Sequence, residues 1–559
     1  MLDLNKNTDL QAQIAKLRRE GEERAAEKLA GQLGLGHADL AKTPVSLEAV
    51  KIIPETAARD AKVASIEIAG HKLALITLNP ELPATKKIVE DLTAKKYEVK
   101  VLVASQTSME AAWAFYKFIK EKTEDITGKI IITKTRLDEL KAQLVTFEAV
   151  QKAFAALDFK SVSPVQIMEI ILGGALALRA SDIHTEAEEK MAKIRFRVDG
   201  ILHDAFDDFP LHAYDTMVSR IKLLSGMKLN VSHEAQDGRF FVRLADKDVE
   251  MRVSIIPAEF GETIVMRILD PSATMVTLEQ LGLREDNMVI VQKQLGRPNG
   301  LILNTGPTGS GKTTTLYAFL RTLNSPEIKI ITLEDPIEYR IAGIEQTQID
   351  EEAGYTFGNG LRAIVRQDPD VILVGEIRDL ETADIALQAA LTGHLVLSTL
   401  HTNDAVGAVP RLINLGVKAV SIGPALALVI AQRLVRVLCP ECKKPAVIDD
   451  ATTANIKKFL EKLSAKVDKT KYQSPTIFEP VGCDKCNKSG YKGRVGVFEF
   501  LEGGPDIEQT ILKEASEVAL RAVAEKQGMV TMQQDGILKV LEGKTTFDEV
   551  KDATGEITW

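Results

Sequence analysis

Residues 306–313 have the residue types and the spacing of a phosphate-binding loop. They read GPTGSGKT, match the pattern G-x-x-x-x-G-K-[ST] in full, and stand between the apolar run 301–303 and the helix-forming run KTTTLYAFLRTL. Glycines permit the tight turn in which backbone N–H groups converge on phosphate oxygens, and the helix N-terminus adds a favourable dipole. In such a loop the lysine contacts the β- and γ-phosphates and the following threonine binds Mg²⁺. The predicted ATP and Mg²⁺ site comprises Gly306, Thr308, Gly309, Ser310, Gly311, Lys312, Thr313 and Thr314.

To hydrolyse ATP, a site built on such a loop needs an acidic side chain at the end of a neighbouring strand. Residues 371–376 (VILVGE) supply one, because the apolar run ends in Glu376. We predict that Glu376 is the general base or orients the attacking water. Gly375 stands where many enzymes with this loop place the aspartate that holds Mg²⁺, so that carboxylate must come from another strand.

Residues 332–338 (TLEDPIE) are the candidate source of the missing carboxylate. Pro336 stops the predicted strand and leaves three acidic side chains close to its tip. A solvated acidic loop is the structural alternative. We predict that Glu334 and Asp335 complete the Mg²⁺ site, and that Glu338 takes the catalytic role if Glu376 does not have it.

The four cysteines of the chain form two C-x-x-C pairs, Cys439 with Cys442 and Cys483 with Cys486. Closed sites of four thiolates are the structural form of zinc, and we predict one Zn²⁺ bound by all four residues. The interval between the pairs is longer than the ~15–20 residues of a zinc ribbon, and the insert IKKFLEKLSAKVDK predicts a helix of its own. Four free buried thiols are the alternative.

Two histidines, His394 and His401, flank the predicted core strand LVLST. Their placement around a strand of the predicted core, beside Thr399, predicts that they sense the nucleotide. A purely structural hydrogen-bonding role is the alternative, above all for His394.

The order of the predicted elements supports these sites. From about residue 277 strands alternate with helices, and the strands LILNT, IKIITLE, VILVGE and HLVLST lack polar alternation, as strands buried on both faces should. This pattern predicts an α/β fold with a parallel-sheet core, preceded by two α+β domains. The expected parts are a helical segment (1–36), a first α+β domain (37–122), a linker (123–160), a second α+β domain (161–270), the ATPase core (275–436), a tetracysteine zinc subdomain (437–498) and a C-terminal helical segment (499–559).

The composition of the 559 residues, 45% hydrophobic and 27% charged, excludes global disorder. The net charge of -9 argues against a duty on nucleic acid, whose binders carry a basic footprint, so no nucleic-acid partner is expected. The first residues lack the apolar region of a secretory signal, and the apolar stretch 419–431 is too short to span a bilayer. We therefore expect a cytoplasmic protein that reaches a membrane only peripherally, through partners.

Residues 361–405 resemble the secretion ATPase superfamily, specifically the assembly ATPases of type II secretion and type IV pili. The stretch contains the family's Walker B region at 371–376 and its histidine box, and TLEDPIEY resembles its aspartate box. Outside the core, the segments RFRVDG, QDGR and MRVS resemble the second N-terminal domain, and CPEC with CDKC resembles the tetracysteine subdomain. Residues 32–120 resemble the first N-terminal domain more weakly.

The resemblance implies a homo-hexamer with a RecA-like P-loop motor. It implies that ATP hydrolysis moves an inner-membrane platform protein so that pilin subunits enter a fibre, and that a cytoplasmic partner docks on the N-terminal domain. The first 36 residues lack the Leu/Gly-spaced arginine motifs with which some relatives bind a cyclic dinucleotide, so such binding is not predicted.

The resemblance also gives four arginines a role. It implies that Arg252 and Arg267 reach the γ-phosphate when two domains close about a hinge near residues 270–272, with Arg362 and Arg366 in the motor as further nucleotide ligands. Guanidinium groups fork onto phosphate oxygens and can contribute ~10³–10⁵ in rate. Solvated strand faces or ion pairs are the structural alternative.

Two other function classes remain open at this stage. A RecA-like nucleic-acid motor predicts a basic groove, against which the acidic balance speaks. A scaffold that binds nucleotide without turnover has no use for Glu376. The residues do not separate pilus assembly from type II secretion or DNA uptake.

Overall fold

The computed structural model describes residues 4–116, 129–244, 247–271 and 276–559, and these form two compact units, Met1–Leu269 and Asp270–Trp559. Each unit is described by itself.

The first unit begins with a long helix and a small α+β domain. The strands of its four-stranded sheet, in the order β1-β4-β3-β2, are β1 (Gly36–His37), β2 (Val63–Ala69), β3 (Lys72–Thr77) and β4 (Glu98–Val103). The helices are Leu4–Leu33, Leu47–Val50, Glu55–Asp60, Pro83–Ala94 and Gln106–Ala114. Glu23 of the long helix accepts hydrogen bonds from the hydroxyls of Ser105 and Ser108, each at 2.6 Å, and so fixes that helix to the domain.

A second α+β domain completes the first unit. Its sheet, in the order β5-β9-β10-β11-β6-β7-β8, contains β5 (Lys129–Ile131), β6 (Asp182–Ala187), β7 (Met191–Val198), β8 (Ile201–Pro210), β9 (Gln236–Arg243), β10 (Asp248–Ala258) and β11 (Gly261–Leu269). The helices are Lys134–Gln143, Phe147–Ala155, Pro164–Ala177 and Leu211–Leu224.

The structure differs from the expected linker over residues 123–160, of which it describes 129–160. Strand β5 and the helices Lys134–Gln143 and Phe147–Ala155 belong to the second domain, and Leu140, Val150 and Phe154 are buried in its core. The sequence prediction relied on the many charged residues of this segment and overlooked its apolar residues, which recur at helical spacing.

The second unit is built on a seven-stranded sheet in the order β14-β13-β15-β16-β12-β17-β20, parallel except that β20 runs antiparallel to β17. The strands are β12 (Gly300–Thr305), β13 (Ile330–Glu334), β14 (Glu345–Gln348), β15 (Val371–Val374), β16 (Leu395–Leu400), β17 (Leu426–Leu438) and β20 (Tyr491–Glu502). Every residue of β12, β15 and β16 is buried. The predicted α/β class with a parallel-sheet core is confirmed.

Helices cover both faces of this sheet. They are Glu285–Leu295, Lys312–Leu323, Phe357–Val365, Leu380–Leu391, Ala408–Asn414, Ala419–Ala425, Pro505–Lys513 and Glu517–Lys526. The apolar stretch 419–431 consists of a short helix, Ala419–Ala425, followed by the start of β17. No helix among the residues described is both long and apolar enough to cross a bilayer.

A lobe that holds the cysteines (residues 439–490) lies between β17 and β20 in the chain. It contains the strand pair β18 (Lys444–Pro445) and β19 (Phe478–Glu479) and the helix Asp450–Lys462. A helix was expected over the insert 456–469, but the observed helix begins earlier and ends at Lys462. The last helices, Met532–Leu541 and Phe547–Thr554, share an apolar core with this lobe. The expected boundary at 498/499 cuts through β20, because that strand belongs to the main sheet.

Candidate nucleotide site and cysteine cluster

The loop 306–311 connects the carboxyl end of β12 to the helix Lys312–Leu323, as its sequence predicts. A Cβ at Gly306 would lie 2.6 Å from the carbonyl oxygen of Gln432 and 2.7 Å from Ser310 Oγ, so only glycine fits there. Thr308 and Gly309 are exposed at the tip of the loop, whereas the first helical turn with Thr313 and Thr314 is half-buried. The loop therefore presents backbone N–H groups and a helix N-terminus to one point.

Gln432, on strand β17, holds the two ends of this loop together. Its Oε1 accepts a hydrogen bond from Asn304 Nδ2 at 3.1 Å, before the loop, and one from Thr315 Oγ1 at 2.8 Å, after it. All three side chains are buried. The loop is thus fixed from beneath by a residue more than a hundred positions further along the chain.

Glu376 lies at the carboxyl end of β15, two strands from the loop, and its side chain is only 17% exposed. It forms a close ion pair with Arg378, and its Oε2 lies 3.5 Å from His401 Nε2. Arg378 Nη1 lies 3.8 Å from Asp335 Oδ2. Burial lowers the pKa of Lys312, and the nearby carboxylate of Glu376 opposes that shift. The structure thus brings a lysine, two carboxylates, an arginine and a histidine to one edge of the sheet.

Gly375 has little room for a side chain. A Cβ there would lie 3.2 Å from the carbonyl oxygen of Leu333 and 3.4 Å from the Cα of Glu334, both on strand β13. Thr399 Oγ1 donates to the Gly375 carbonyl at 2.8 Å. A side chain at this position would require the neighbouring backbone of β13 to shift by a few tenths of an ångström.

Glu334 is buried, unlike its neighbour Asp335. It accepts hydrogen bonds from Tyr317, Thr332 (2.6 Å) and Gln346 (3.2 Å), and burial raises the pKa of its carboxyl group. The backbone of Glu338 contacts the same tyrosine. Glu334 therefore lies beneath the edge of the sheet, and Asp335 is the carboxylate of this segment that faces Arg378.

His394 and His401 are not brought together. His401 follows β16 at the edge that carries the loop, but His394 precedes this strand, and its Nδ1 lies 3.0 Å from the carbonyl oxygen of Ala389. A strand of six residues is about 20 Å long, so the two rings lie at opposite edges of the sheet. The ring of His394 thus contacts the helix that precedes β16, at the edge of the sheet away from the loop.

Arg362 and Arg366 lie on and just after the helix Phe357–Val365. Arg362 forms an ion pair with Glu381, and its Nη1 lies 3.5 Å from Asn359 Oδ1. Arg366 caps the carboxyl end of the same helix. The contacts of Arg362 are with this helix and its neighbour.

Arg252 and Arg267 belong to a row that crosses the sheet of the first unit. The strand register aligns the row in the order Arg239, Arg252, Arg267, Asp182 and Arg197. Asp182 accepts a hydrogen bond from Arg267 Nε at 3.0 Å and lies 3.6 Å from Arg197 Nε. Arg252 Nε lies 3.6 Å from a carboxylate oxygen of Glu250 on its own strand. The row therefore holds four arginines and one buried aspartate, and two of these arginines, Arg267 and Arg197, contact the aspartate.

The sulfur atoms of Cys439, Cys442, Cys483 and Cys486 all lie within 4.8 Å of one another. Tetrahedral thiolates at about 2.3 Å from zinc would be about 3.8 Å apart. The observed separations are 3.7 Å for Cys483–Cys486, 3.8 Å for Cys442–Cys486 and 4.0 Å for Cys439–Cys483. The Sγ of Cys486 also accepts hydrogen bonds from the backbone N–H of Cys483 and of Gly490. These residues fit a zinc ion.

Sequence reasoning missed three residues that the structure brings to this site: Arg378, Gln432 and Arg433, whose Nη1 lies 3.3 Å from the position of a Cβ on Gly306. Arg378 had a signal, since it stands two positions after Glu376. Gln432 and Arg433 had none near the loop, because the pairing of β12 with β17 brings them there.

The family model described as Type II/IV secretion system protein matches residues 158–552. The chain is 36% identical over 531 residues to a protein named Type IV pilus assembly ATPase PilB from Myxococcus xanthus, a match that covers 95% of this chain and 90% of the relative. It is 46% identical over 397 residues to Type II secretion system ATPase E from Vibrio cholerae, covering 70% of this chain and 75% of the relative.

Among solved structures, the chain is similar to the Legionella pneumophila ATPase DotB. The TM-score is 0.51 at 23% identity, and the match covers 70% of this chain and 95% of the other. At this identity the likeness shows the fold alone.

Proposed function

Because the chain belongs to the type II/IV secretion system protein family, we propose that its ATP hydrolysis powers the assembly of a type IV pilus. The observation that carries this proposal is the match of 95% of the chain to a pilus assembly ATPase. Extension of a type II secretion pseudopilus is the second candidate, favoured by the higher identity, 46%, of a match that covers 70% of the chain.

In the proposed hydrolysis, the loop 306–311 and Lys312 bind the β- and γ-phosphates of ATP, and the side chain of Thr313 faces Mg²⁺. The bound Mg²⁺ neutralises charge on the two phosphates. Glu376 orients the attacking water or accepts its proton, since it lies two strands from the loop with little solvent access. Asp335 is the better placed candidate for the carboxylate that Gly375 lacks, because Glu334 is buried in hydrogen bonds.

His401 and Arg378 hold the Glu376 side chain from two sides. Holding this carboxylate in one orientation should favour turnover, because catalysis of phosphoryl transfer depends on the position and charge of the catalytic groups. We assign His401 the sensing role that the sequence predicted, and leave His394 without one. From the family resemblance, Arg252 and Arg267 deliver positive charge to the γ-phosphate, and Arg362 and Arg366 are further ligands of the nucleotide.

The remaining assignments also rest on family membership. The chain works as a homo-hexamer in the cytoplasm, at an inner-membrane platform protein, with a further cytoplasmic partner on its N-terminal domain. One zinc ion holds the cysteine lobe together, which is supported by the fit of the four sulfur atoms. Nucleic acid has no place in this proposal.

The test begins with turnover in purified protein. Glu376→Gln keeps the shape of the side chain and removes its charge, so ATP binding should persist while turnover falls at least about a hundredfold. The matched control is Glu352→Gln, an exposed residue of the same unit, which should turn over at the wild-type rate.

The second stage is allelic replacement of Glu376→Gln in the source organism. Loss of surface pili with normal protein secretion supports pilus assembly, and loss of secretion with normal pili supports the second candidate. Near-normal turnover of Glu376→Gln would move the catalytic role to Glu338.

A further inference from the structure

Two cationic side chains lie close to Gly306. Lys312 Nζ donates to the Gly306 carbonyl at 2.8 Å and to that of Pro307 at 3.1 Å. Arg433 Nη1 lies 3.3 Å from the position that a Cβ on Gly306 would take. The first residue of the phosphate-binding loop is therefore flanked by the predicted phosphate lysine and by an arginine of strand β17.

The contacts of Arg433 within the chain are weak. Its Nη1 donates to the carbonyl of Gln432 at 3.3 Å, and its Nη2 lies 3.3 Å and 3.5 Å from the two oxygens of Asn403. These lengths are at the long limit of hydrogen bonds. Within the part of the chain that the structure describes, no carboxylate oxygen lies within 4.0 Å of the Arg433 guanidinium nitrogens, so Arg433 forms no ion pair there.

The nearest carboxylates are already used. Asp404 pairs with Arg521, and Glu499 accepts hydrogen bonds from the backbone N–H groups of Ala405 and Met532. By contrast Arg436, three positions further along the same strand, forms a close ion pair with Glu549. Arg433 is thus a half-buried guanidinium beside the phosphate loop without an ion-pair partner among the described residues. It can therefore bind an anionic ligand.

Arg433 also has room to move. It lines a cavity of about 490 Å³ that extends from Asn403 to the last residues of the chain around Thr558. On this side the guanidinium therefore borders open volume and not packed side chains. Burial lowers the pKa of Arg433, although a guanidinium stays charged at any physiological pH.

We propose that Arg433 is a catalytic residue that binds the terminal phosphate of ATP from the β17 side of the loop. The proposal rests on hydrolysis of ATP at this loop. In that step the bond from the water oxygen to the γ-phosphorus forms, the bond to the β,γ-bridging oxygen breaks, and the water proton passes to Glu376. The guanidinium neutralises the charge that spreads over the γ-phosphate oxygens and the leaving oxygen, together with Lys312.

The experiment compares Arg433→Ala, Arg433→Lys and wild type as full-length proteins in steady-state turnover and in equilibrium binding of fluorescent ADP and of a non-hydrolysable ATP analogue. Arg433→Ala should lose at least about a hundredfold in kcat. It should bind ADP within about threefold of wild type but lose its preference for the triphosphate, because ADP lacks the phosphate that Arg433 contacts. Arg433→Lys should recover only part of kcat, since a lysine cannot fork onto two oxygens.

Two controls separate this role from a structural one. Arg521→Ala changes an arginine of the same cavity that has its own carboxylate, and it should keep kcat within about threefold. Free guanidinium at millimolar concentration should restore part of the turnover of Arg433→Ala and none of that of Glu376→Gln.

Wild-type turnover in Arg433→Ala, an equal loss of ADP and triphosphate binding, or an equal loss of kcat in Arg521→Ala would each overturn the assignment. If Arg433→Ala does not fold, Arg433→Lys decides by the same two comparisons: its kcat relative to wild type, and its affinity for the triphosphate relative to ADP. Failure of the wild-type protein to hydrolyse ATP would instead refute the function on which the proposal rests.

Discussion

Asp535 offers a sharp test of how the second unit is held together. Its side chain is fully buried and its Oδ atoms lie 2.6 Å from Arg284 Nη1 and 2.6 Å from Lys539 Nζ. It also accepts a hydrogen bond from the backbone N–H of Phe498, on strand β20, at 2.8 Å. One carboxylate thus joins the last helices, the main sheet and the entry to the unit.

The substitution Asp535→Asn leaves the ammonium of Lys539 buried, with 2% of its side chain exposed and no opposite charge on its former partner. Removal of one member of a buried pair costs about 3–5 kcal/mol. At about 2 °C per kcal/mol for a unit of this size, the melting temperature should fall by about 6–10 °C. The measurement is differential scanning calorimetry of the full chain at pH 7.

The matched control is Asp286→Asn. Asp286 also pairs with Arg284, at 3.0 Å, but its removal leaves Arg284 paired with Asp535, so it should cost only about 1 kcal/mol. The double variant Asp535→Asn with Lys539→Met removes the unpaired charge and should regain at least about half of the lost stability. A melting temperature of Asp535→Asn within about 2 °C of wild type, or no recovery in the double variant, would refute this account.

The same contacts determine how the free energy of unfolding changes at acid pH. Burial by itself raises the pKa of Asp535, but the charges of Lys539 and Arg284 outweigh it and hold the pKa below its usual value. A group with a lowered pKa in the folded state stabilises above its unfolded pKa of about 3.9 and loses that contribution as the pH falls further. The wild type should therefore lose stability more steeply than Asp535→Asn below that pH.

Three further outcomes are expected. Elemental analysis of protein never exposed to chelator should find about one zinc per chain and Cys483→Ser should lose it; a clean zero for the wild type would exclude the site. His401→Ala should slow turnover because it frees the Glu376 side chain, whereas His394→Ala should leave the rate unchanged, and equal effects of the two would contradict the placement of the rings. Arg252→Ala with Arg267→Ala should bind ATP slightly less well and lose most turnover; a near wild-type rate would leave the arginine row without a catalytic role.

The sequence predicted those parts of the molecule whose residues are close together in the chain. The phosphate loop, the buried strands β12, β15 and β16 and the cysteine pairs are each written in a window of a few residues, and periodicity or spacing reveals them. The parallel-sheet class followed from the alternation of these strands with helices.

The missed features depend on residues far apart in the chain. Arg433 and Gln432 reach the loop only because β17 pairs with β12, a contact that no local pattern encodes. His394 looked equivalent to His401 because both flank one strand, but the ends of a strand lie at opposite edges of the sheet. The segment 129–155 was taken for a linker because its charged residues outnumber the apolar ones that reach the core.

The cysteine lobe enters and leaves the main sheet through two residues that face each other, Leu438 on β17 and Tyr491 on β20. In topology the lobe is thus the loop of a hairpin, and an insertion of this kind can be gained or lost in evolution without a change in strand order. Yet its helix Asp450–Lys462 shares an apolar core with the helices Met532–Leu541 and Phe547–Thr554. Lobe and C-terminal helices therefore form one packing module in two pieces of chain, and a chimera that exchanges one piece must exchange the other with it.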